Sequence, residues 1–306
     1  MDRKIVLVRR RTRLEELIAR FNSESQARFY VEHLGSDFED YRTEHREYQE
    51  AFSLSVATAA RVCRIQILDR SFLPNFLFAP TDVVVAVGQD GMVANILKYL
   101  SGQPLVGVNP SPSRWDGILA PFSAKQMDRV LKEVVLERSS IREISMAMAT
   151  LGDGQSLLAV NDLFVGQKSH VSARYELQVD GVVERQSSSG IVVSTGLGST
   201  GWMRSIVEEA KAITGTSTDL DSIESVLPWE AQTLRFAVRE AFPSKATGNS
   251  LVYGTIDPST SFEIVSQMPD NGVVFSDGIE SDFLEFNAGS RLKIGLSPHK
   301  GRLVVH

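Results

Sequence analysis

The chain has 306 residues, 42% hydrophobic and 23% charged, a globular composition that at roughly 100 to 200 residues per domain suggests about two domains. The 32 basic and 38 acidic residues leave a formal charge of -6, and no basic run interleaves with aromatics, which excludes a general nucleic-acid binder. Cys63 is the only cysteine, which excludes an intramolecular disulfide and a cysteine-based zinc site and points to a reducing compartment, here the cytoplasm.

In chain order, Ile5 to Val8 is a branched apolar run bounded by charge. It predicts a buried strand and is too short for a signal-peptide core. No stretch of about 18 apolar residues predicts a membrane span. Thr12 and Glu15 fit a capping box, and Leu14, Leu17, Ile18 and Phe21 follow at helical spacing. The charged stretch 37–61 predicts a long helix. Strands are expected at 64–68, 82–87 and 105–108, with a helix over 92–100. This alternation implies a parallel sheet with helices on its faces.

After about residue 140 the pattern changes. Runs 144–150 and 157–165 read as strands around the turn Gly152-Asp153-Gly154, and Asp180-Gly181 between 172–179 and 182–186 is a strong hairpin signal. Further strands are expected at 233–238, 261–266, 272–275 and 291–296, so this half is mostly antiparallel sheet. The Ser/Thr/Asp-rich stretch 214–230 reads as a loop.

Three stretches could carry chemistry. The run Val83 to Val87 leads into Gly88-Gln89-Asp90-Gly91-Met92 and a helix. Such a turn either offers helix-end N–H groups to a phosphate or is a tight turn capped by Asp90. Gly196-Leu-Gly198-Ser199-Thr200-Gly201 has the spacing of a dinucleotide fingerprint, but hairpins precede it and no buried strand follows its helix. It reads as a glycine-rich loop that either approaches a ligand or eases packing. Asn161-Asp162 interrupts an apolar strand, where two buried unpaired polar groups would be costly. At least one must face solvent, a partner or a ligand, unless the pair marks a strand end. The five histidines form no H-E-x-x-H pair, and neither a Walker lysine loop nor a nucleophile elbow occurs.

Taken together, these stretches resemble the NAD kinase family. Gly88-Gln89-Asp90-Gly91-Met92 resembles its G-G-D-G-T, Leu105-Val-Gly-Val-Asn109 follows, Ala159-Val-Asn161-Asp162 resembles A-L-N-E, and Ser194 to Trp202 resembles S-T-P-T-G-S-T-A-Y. The similarity covers roughly 80–205, with an echo at Val273-Val-Phe-Ser-Asp277-Gly278. Ser172-Ala-Arg-Tyr-Glu-Leu and Gln186-Ser-Ser-Ser-Gly look most like the mitochondrial-type branch. Gln89 stands in place of a glycine, Met92 of threonine, Asp162 of glutamate and Trp202 of tyrosine. Ser189 stands where many members carry Asp.

The resemblance implies a Rossmann-like parallel α/β domain over 1–140, a sandwich-like antiparallel β-rich domain binding NAD over 141–290, and a tail, 291–306, returning to the first domain. It implies transfer of the γ-phosphoryl group of ATP to the adenosine ribose 2′-OH of NAD. Asp90 would be the base. Gly88, Gln89, Gly91, Met92 and Asn109 would lie at the phosphates, while Asn161, Asp162, Gly198, Ser199, Thr200, Gly201, Trp202 and Ser205 would hold the nucleotide. With no Walker lysine, Mg²⁺ or another divalent cation, held through the phosphates and Asp90, would neutralise charge. A homodimer or larger assembly is expected, with no nucleic-acid or membrane partner. The alternatives are a kinase of this fold acting on another small hydroxyl acceptor, such as a sugar or nucleoside, and a catalytically silent nucleotide sensor.

Overall fold

The computed structural model describes residues 3–215 and 226–306. It divides into two compact units, 1–142 with 302–306, and 143–301. The first begins with β1 (Lys4–Arg9), α1 (Arg13–Phe21), α2 (Glu24–His33), α3 (Phe38–Val62) and β2 (Arg64–Asp69). It continues through β3 (Val83–Val87), α4 (Asp90–Leu97), β4 (Pro104–Asn109), β5 (Phe122–Ser123), α5 (Met127–Val135) and β6 (Ser140–Ile144). The capping box starts α1: Glu15 N–H donates to Thr12 Oγ1 at 3.2 Å, and Thr12 N–H to Glu15 Oε2 at 2.8 Å.

The strands β2, β1, β3 and β4 lie side by side in parallel. Every residue of β3 is buried, as a strand covered on both faces requires. Leu7, Val85 and Val106 pack with Tyr48 and Ala59 of α3 and with Met127 and Leu131 of α5. The strand order reverses between β1 and β3, so the loops after these strands flank the crevice where open α/β sheets bind ligands.

The second unit contains β7 (Ala147–Leu151), β8 (Ser156–Ala159), β9 (Asp162–Gln167), β10 (Ala173–Val179), β11 (Val182–Ser188), β12 (Ile191–Ser194) and α6 (Trp202–Thr214). Then come β13 (Leu234–Val238), β14 (Tyr253–Ile256), β15 (Phe262–Ser266), β16 (Gly272–Ser276), β17 (Ile279–Glu285) and β18 (Arg291–Leu296). They form two six-stranded sheets, ordered β11-β10-β15-β18-β7-β8 and β14-β13-β12-β9-β16-β17. Alternate residues of both sheets meet in one core, Ala149, Tyr175 and Leu292 from the first and Leu163, Val193 and Phe236 from the second. The hairpin at Asp180-Gly181 forms as expected, with φ of 47° and 83°. The last strand, β19 (Gly301–Val305), pairs in parallel with β4, and β6 lies beyond it.

Several expectations are corrected. The run 157–165 is two strands, because the chain leaves one sheet at Ala159 and enters the other at Asp162. The run 144–150 likewise breaks between β6 and β7, which belong to different sheets. The returning tail is shorter than 291–306: β18 pairs with β15 and β7, and only 302–306 cluster with the first unit. Helices α2 and α5 and strands β5, β14, β17 and β19 go unread in the sequence; the strands are short or sparse in apolar residues, whereas α5 carries Met127, Val130, Leu131 and Val134 at helical spacing, a signal that was present. Most of the expected loop 214–230 lies outside the described residues, and Thr214 ends α6. Among the described residues no helix is long and apolar enough to cross a membrane.

Candidate active site

In the first unit, the Gly88 to Met92 turn joins β3 to α4. Gln89 is the cap residue, without a side-chain bond, and Asp90 is the first helical residue. The Asp90 carboxylate turns away from its own helix. Its Oδ1 accepts the N–H groups of Leu119 at 2.9 Å and Ala120 at 3.2 Å, and its Oδ2 accepts that of Ile118 at 3.0 Å. The turn it grips lies against β4, where a Cβ on Gly107 would fall 2.1 Å from Leu119 O. A carboxylate has about four lone-pair directions, so three N–H bonds leave one, on Oδ2.

Two residues assigned to the phosphate site have other work. Met92 is 4% exposed, lies against Gly88, and donates its N–H to Gln89 O at 2.9 Å. Asn109 donates to Trp115 O at 2.8 Å and accepts from Ser111 N–H at 3.0 Å, which shapes the loop after β4. One donor and one acceptor of its side chain thus hold backbone.

In the second unit a cavity of about 700 Å³ opens on the outer face of the sheet that carries β9. Its size is that of a site for a nucleotide-sized molecule. Side chains alternate along a strand, so Leu163 and Val165 enter the sandwich core while Asp162 and Phe164 point to the cavity. The Phe164 ring lies on two glycines: a Cβ on Gly166 or Gly190 would approach it to 2.6 or 2.5 Å. Phe164 stacks with Trp202 at 5.7 Å and with Phe275 at 6.2 Å, making an aromatic wall. The Arg239 guanidinium lies 5.4 Å from the centre of the Trp202 ring.

The structure brings Asn161, Asp162, Gly198, Thr200, Gly201 and Trp202 together at this cavity. Gly198 permits the approach, since a Cβ there would sit 2.2 Å from Asn161 O. Ser199 and Ser205, expected in the pocket, do not line it. Ser199 is buried, donates to Gly196 O at 2.7 Å and accepts from Leu227 N–H at 3.2 Å, while Ser205 Oγ turns back to Gly201 O.

Asp162 has the most perturbed carboxyl at the cavity. Its Oδ1 is shielded from solvent and has no hydrogen-bond partner. Burial pushes its pKa up to about 7; the charge of Asp277 acts in the same direction, and the Ser194 hydroxyl opposes it.

Sequence reasoning assigns no site role to Phe164, Lys168, Arg239, Phe275 or Asp277, all of which line the cavity. Two signals were present: Phe164 follows Asp162 at strand period, and Asp277-Gly278 repeats the hairpin signal of Asp180-Gly181. Nothing local marks Lys168 or Arg239, because antiparallel pairing alone brings the ends of β9 and β13 to one face.

No protein-family model matches the chain. It is 30% identical over 128 residues to the NAD kinase of Chlorobaculum tepidum, covering 40% of this chain and 44% of that one. It is 31% identical over 159 residues to the NAD kinase of Acinetobacter baylyi, covering 49% and 50%. The chain thus spans about half the length of the curated relatives it matches. Among solved structures it is similar to an NAD kinase from Archaeoglobus fulgidus in complex with ATP, with a TM-score of 0.57 and 18% identity over 99% of this chain and 93% of that one. Yeast NADH kinase complexed with NADH also has a TM-score of 0.57, at 13% identity over 99% and 83%. The parallel α/β unit followed by paired antiparallel sheets is therefore the NAD kinase fold.

Proposed function

We propose that the chain is an NAD kinase, transferring the γ-phosphoryl group of ATP to the adenosine ribose 2′-OH of NAD. The observation that carries this reading is the convergence of Asn161-Asp162 and the Gly198 to Trp202 loop on one cavity. The partial identity to named NAD kinases supports it.

Phosphoryl transfer asks the protein for positioning and charge neutralisation more than for covalent work. Asp90 takes the hydroxyl proton on the lone pair its three N–H bonds leave open. Gly88, Gln89 and Gly91 bring backbone to phosphate at the start of α4, where helix N–H groups lack intrahelical partners. Asn161, Asp162, Thr200 and Gly201 hold the acceptor, and Trp202 supplies a stacking face.

The residues fit a cation bound with its substrate. Among the described residues no cluster of three or more His, Cys, Asp or Glu could hold a metal ion alone. Mg²⁺ needs only one or two carboxylates besides phosphate and water. The ATP phosphates and water would hold it, because the one open lone pair of Asp90 is taken by the hydroxyl proton, and the ion would neutralise charge on the transferred group. The Ser172 to Leu177 and Gln186 to Gly190 stretches support a mitochondrial-type branch. A homodimer in the cytoplasm completes the proposal.

The test incubates the purified chain with NAD, ATP and Mg²⁺ and measures NADP. Consumption of ATP with another hydroxyl compound while NAD stays intact would reject the substrate assignment.

A further inference from the structure

We propose that Asp277 is the positioning residue of the acceptor cavity, holding the strand crossover that presents Asn161 and Asp162. The inference rests on the reading of that cavity as the NAD site.

The crossover is where the need arises. Between Ala159 and Asp162 the chain passes from one sheet to the other, so its N–H groups lose regular ladder partners. Such donors must be satisfied elsewhere. Asp277 Oδ1 accepts the N–H of Asn161 at 2.6 Å, both of its oxygens lie 3.1 Å from Val160 N, and Asp162 N is 3.4 Å from Oδ1. In return, Asp277 N–H donates to Asp162 O at 3.0 Å. Thr195 closes the other side: its N–H donates to Asn161 O at 2.9 Å and its hydroxyl to Val160 O at 2.5 Å.

The turn that carries Asp277 suits this task. Asp277 and Gly278 adopt φ of 52° and 69° between Ser276 and Ile279, a two-residue connection that aspartate and glycine tolerate. It delivers a carboxylate, an acceptor stronger than a neutral amide, to three consecutive donors.

A second effect separates this role from simple scaffolding. Asp162 faces Asp277 from the β16–β17 turn and Ser194 from β12, while Lys168, His170, Arg239 and Glu280 supply the other charged or titratable groups around the cavity. The negative charge of Asp277 favours the protonated acid of Asp162. Asp277 therefore holds Asp162 in place and adds its charge to the burial that keeps Asp162 protonated, as a hydrogen-bond donor to the acceptor.

The experiment compares wild type with Asp277→Asn for the KM of NAD, the KM of ATP, and the pH dependence of the NAD KM between about pH 5 and 9. The expected result is an NAD KM raised roughly tenfold or more, an ATP KM within about twofold, and a pH midpoint shifted to lower pH. Asp162→Asn should abolish that midpoint. An NAD KM and midpoint both unchanged in Asp277→Asn would overturn the proposal, even if the variant is less stable. Should Asp277→Asn not fold, amide hydrogen exchange on the wild type decides: slow exchange at Val160, Asn161 and Asp162 is expected, and exposed-loop rates would overturn it. Absence of NADP formation by wild type would reject the functional reading and leave the exchange result standing as a test of the crossover.

Discussion

Asp162 and Ser194 are cross-strand partners on β9 and β12, and the serine hydroxyl is the hydrogen-bonding neighbour of a carboxyl whose Oδ1 has no partner. Buried in this way, Asp162 keeps its proton until about pH 7, against an ordinary value of 3.8. The folded state then binds more protons than the unfolded one across that interval, so this group's contribution to stability declines as pH rises from about 4 to about 7. At roughly 1.4 kcal/mol per pH unit the loss is on the order of 4 kcal/mol. Urea unfolding at several pH values should show this slope in wild type and a flatter profile in Asp162→Asn.

Asp90 and Asp277 do parallel work in different units, each accepting three consecutive backbone N–H groups with one carboxylate. Asp90→Asn therefore changes more than a base. Its amide nitrogen cannot accept the N–H it would face, and a lost bond to a charged group costs about 1.5 to 3 kcal/mol. Lower thermal stability together with loss of NADP formation is expected. A variant at wild-type stability would show that the turn at 118–120 does not depend on this carboxylate.

The glycines of the two motifs should respond in opposite ways. Gly91 lies in α4 with nothing within 4 Å of the place an alanine methyl would take, so Gly91→Ala should raise stability by about 0.5 to 1 kcal/mol while lowering activity if phosphate approaches there. At Gly198 a methyl group would meet Asn161 O at 2.2 Å and Ser194 Oγ at 2.6 Å, so Gly198→Ala should lose about 1 to 3 kcal/mol and weaken NAD binding. Denaturation and NAD titration on both variants check the contrast.

Trp202 stacks on Phe164 and carries Arg239 over its ring. Trp202→Phe should retain most NAD affinity, whereas Trp202→Ala should lose about 1 to 3 kcal/mol, the range for one base stacked on an aromatic ring. Calorimetric titration with NAD measures the difference, and equal affinities for the two variants would remove the stacking role.

Chelation by EDTA should stop NADP formation, and activity should return on adding Mg²⁺ without refolding. A cation held chiefly by ATP phosphates contributes to the reaction and little to the fold, because among the described residues no ligand cluster depends on it. Unchanged melting temperature with lost activity is the expected pair of results, and full activity without metal would contradict the proposed role of the ion.

The sequence by itself determined much that is local. Val83 to Val87 followed by a glycine-bracketed turn, the Thr12 and Glu15 capping box, and the Asp180-Gly181 hairpin are all legible because propensity, capping and turn chemistry act over a few residues. The order of motifs pointed to the fold for the same reason. Tertiary structure alone decided which polar residues face the cavity. Asn161-Asp162 lies at a crossover between sheets, where donors that no local pattern can satisfy are met by Asp277, 116 residues beyond Asn161. Ser199, Asn109 and Met92 sit inside recognisable motifs, yet hold backbone or core. Their partners are chosen by packing and by the requirement that buried donors be paired, and that selection depends on contacts across the fold.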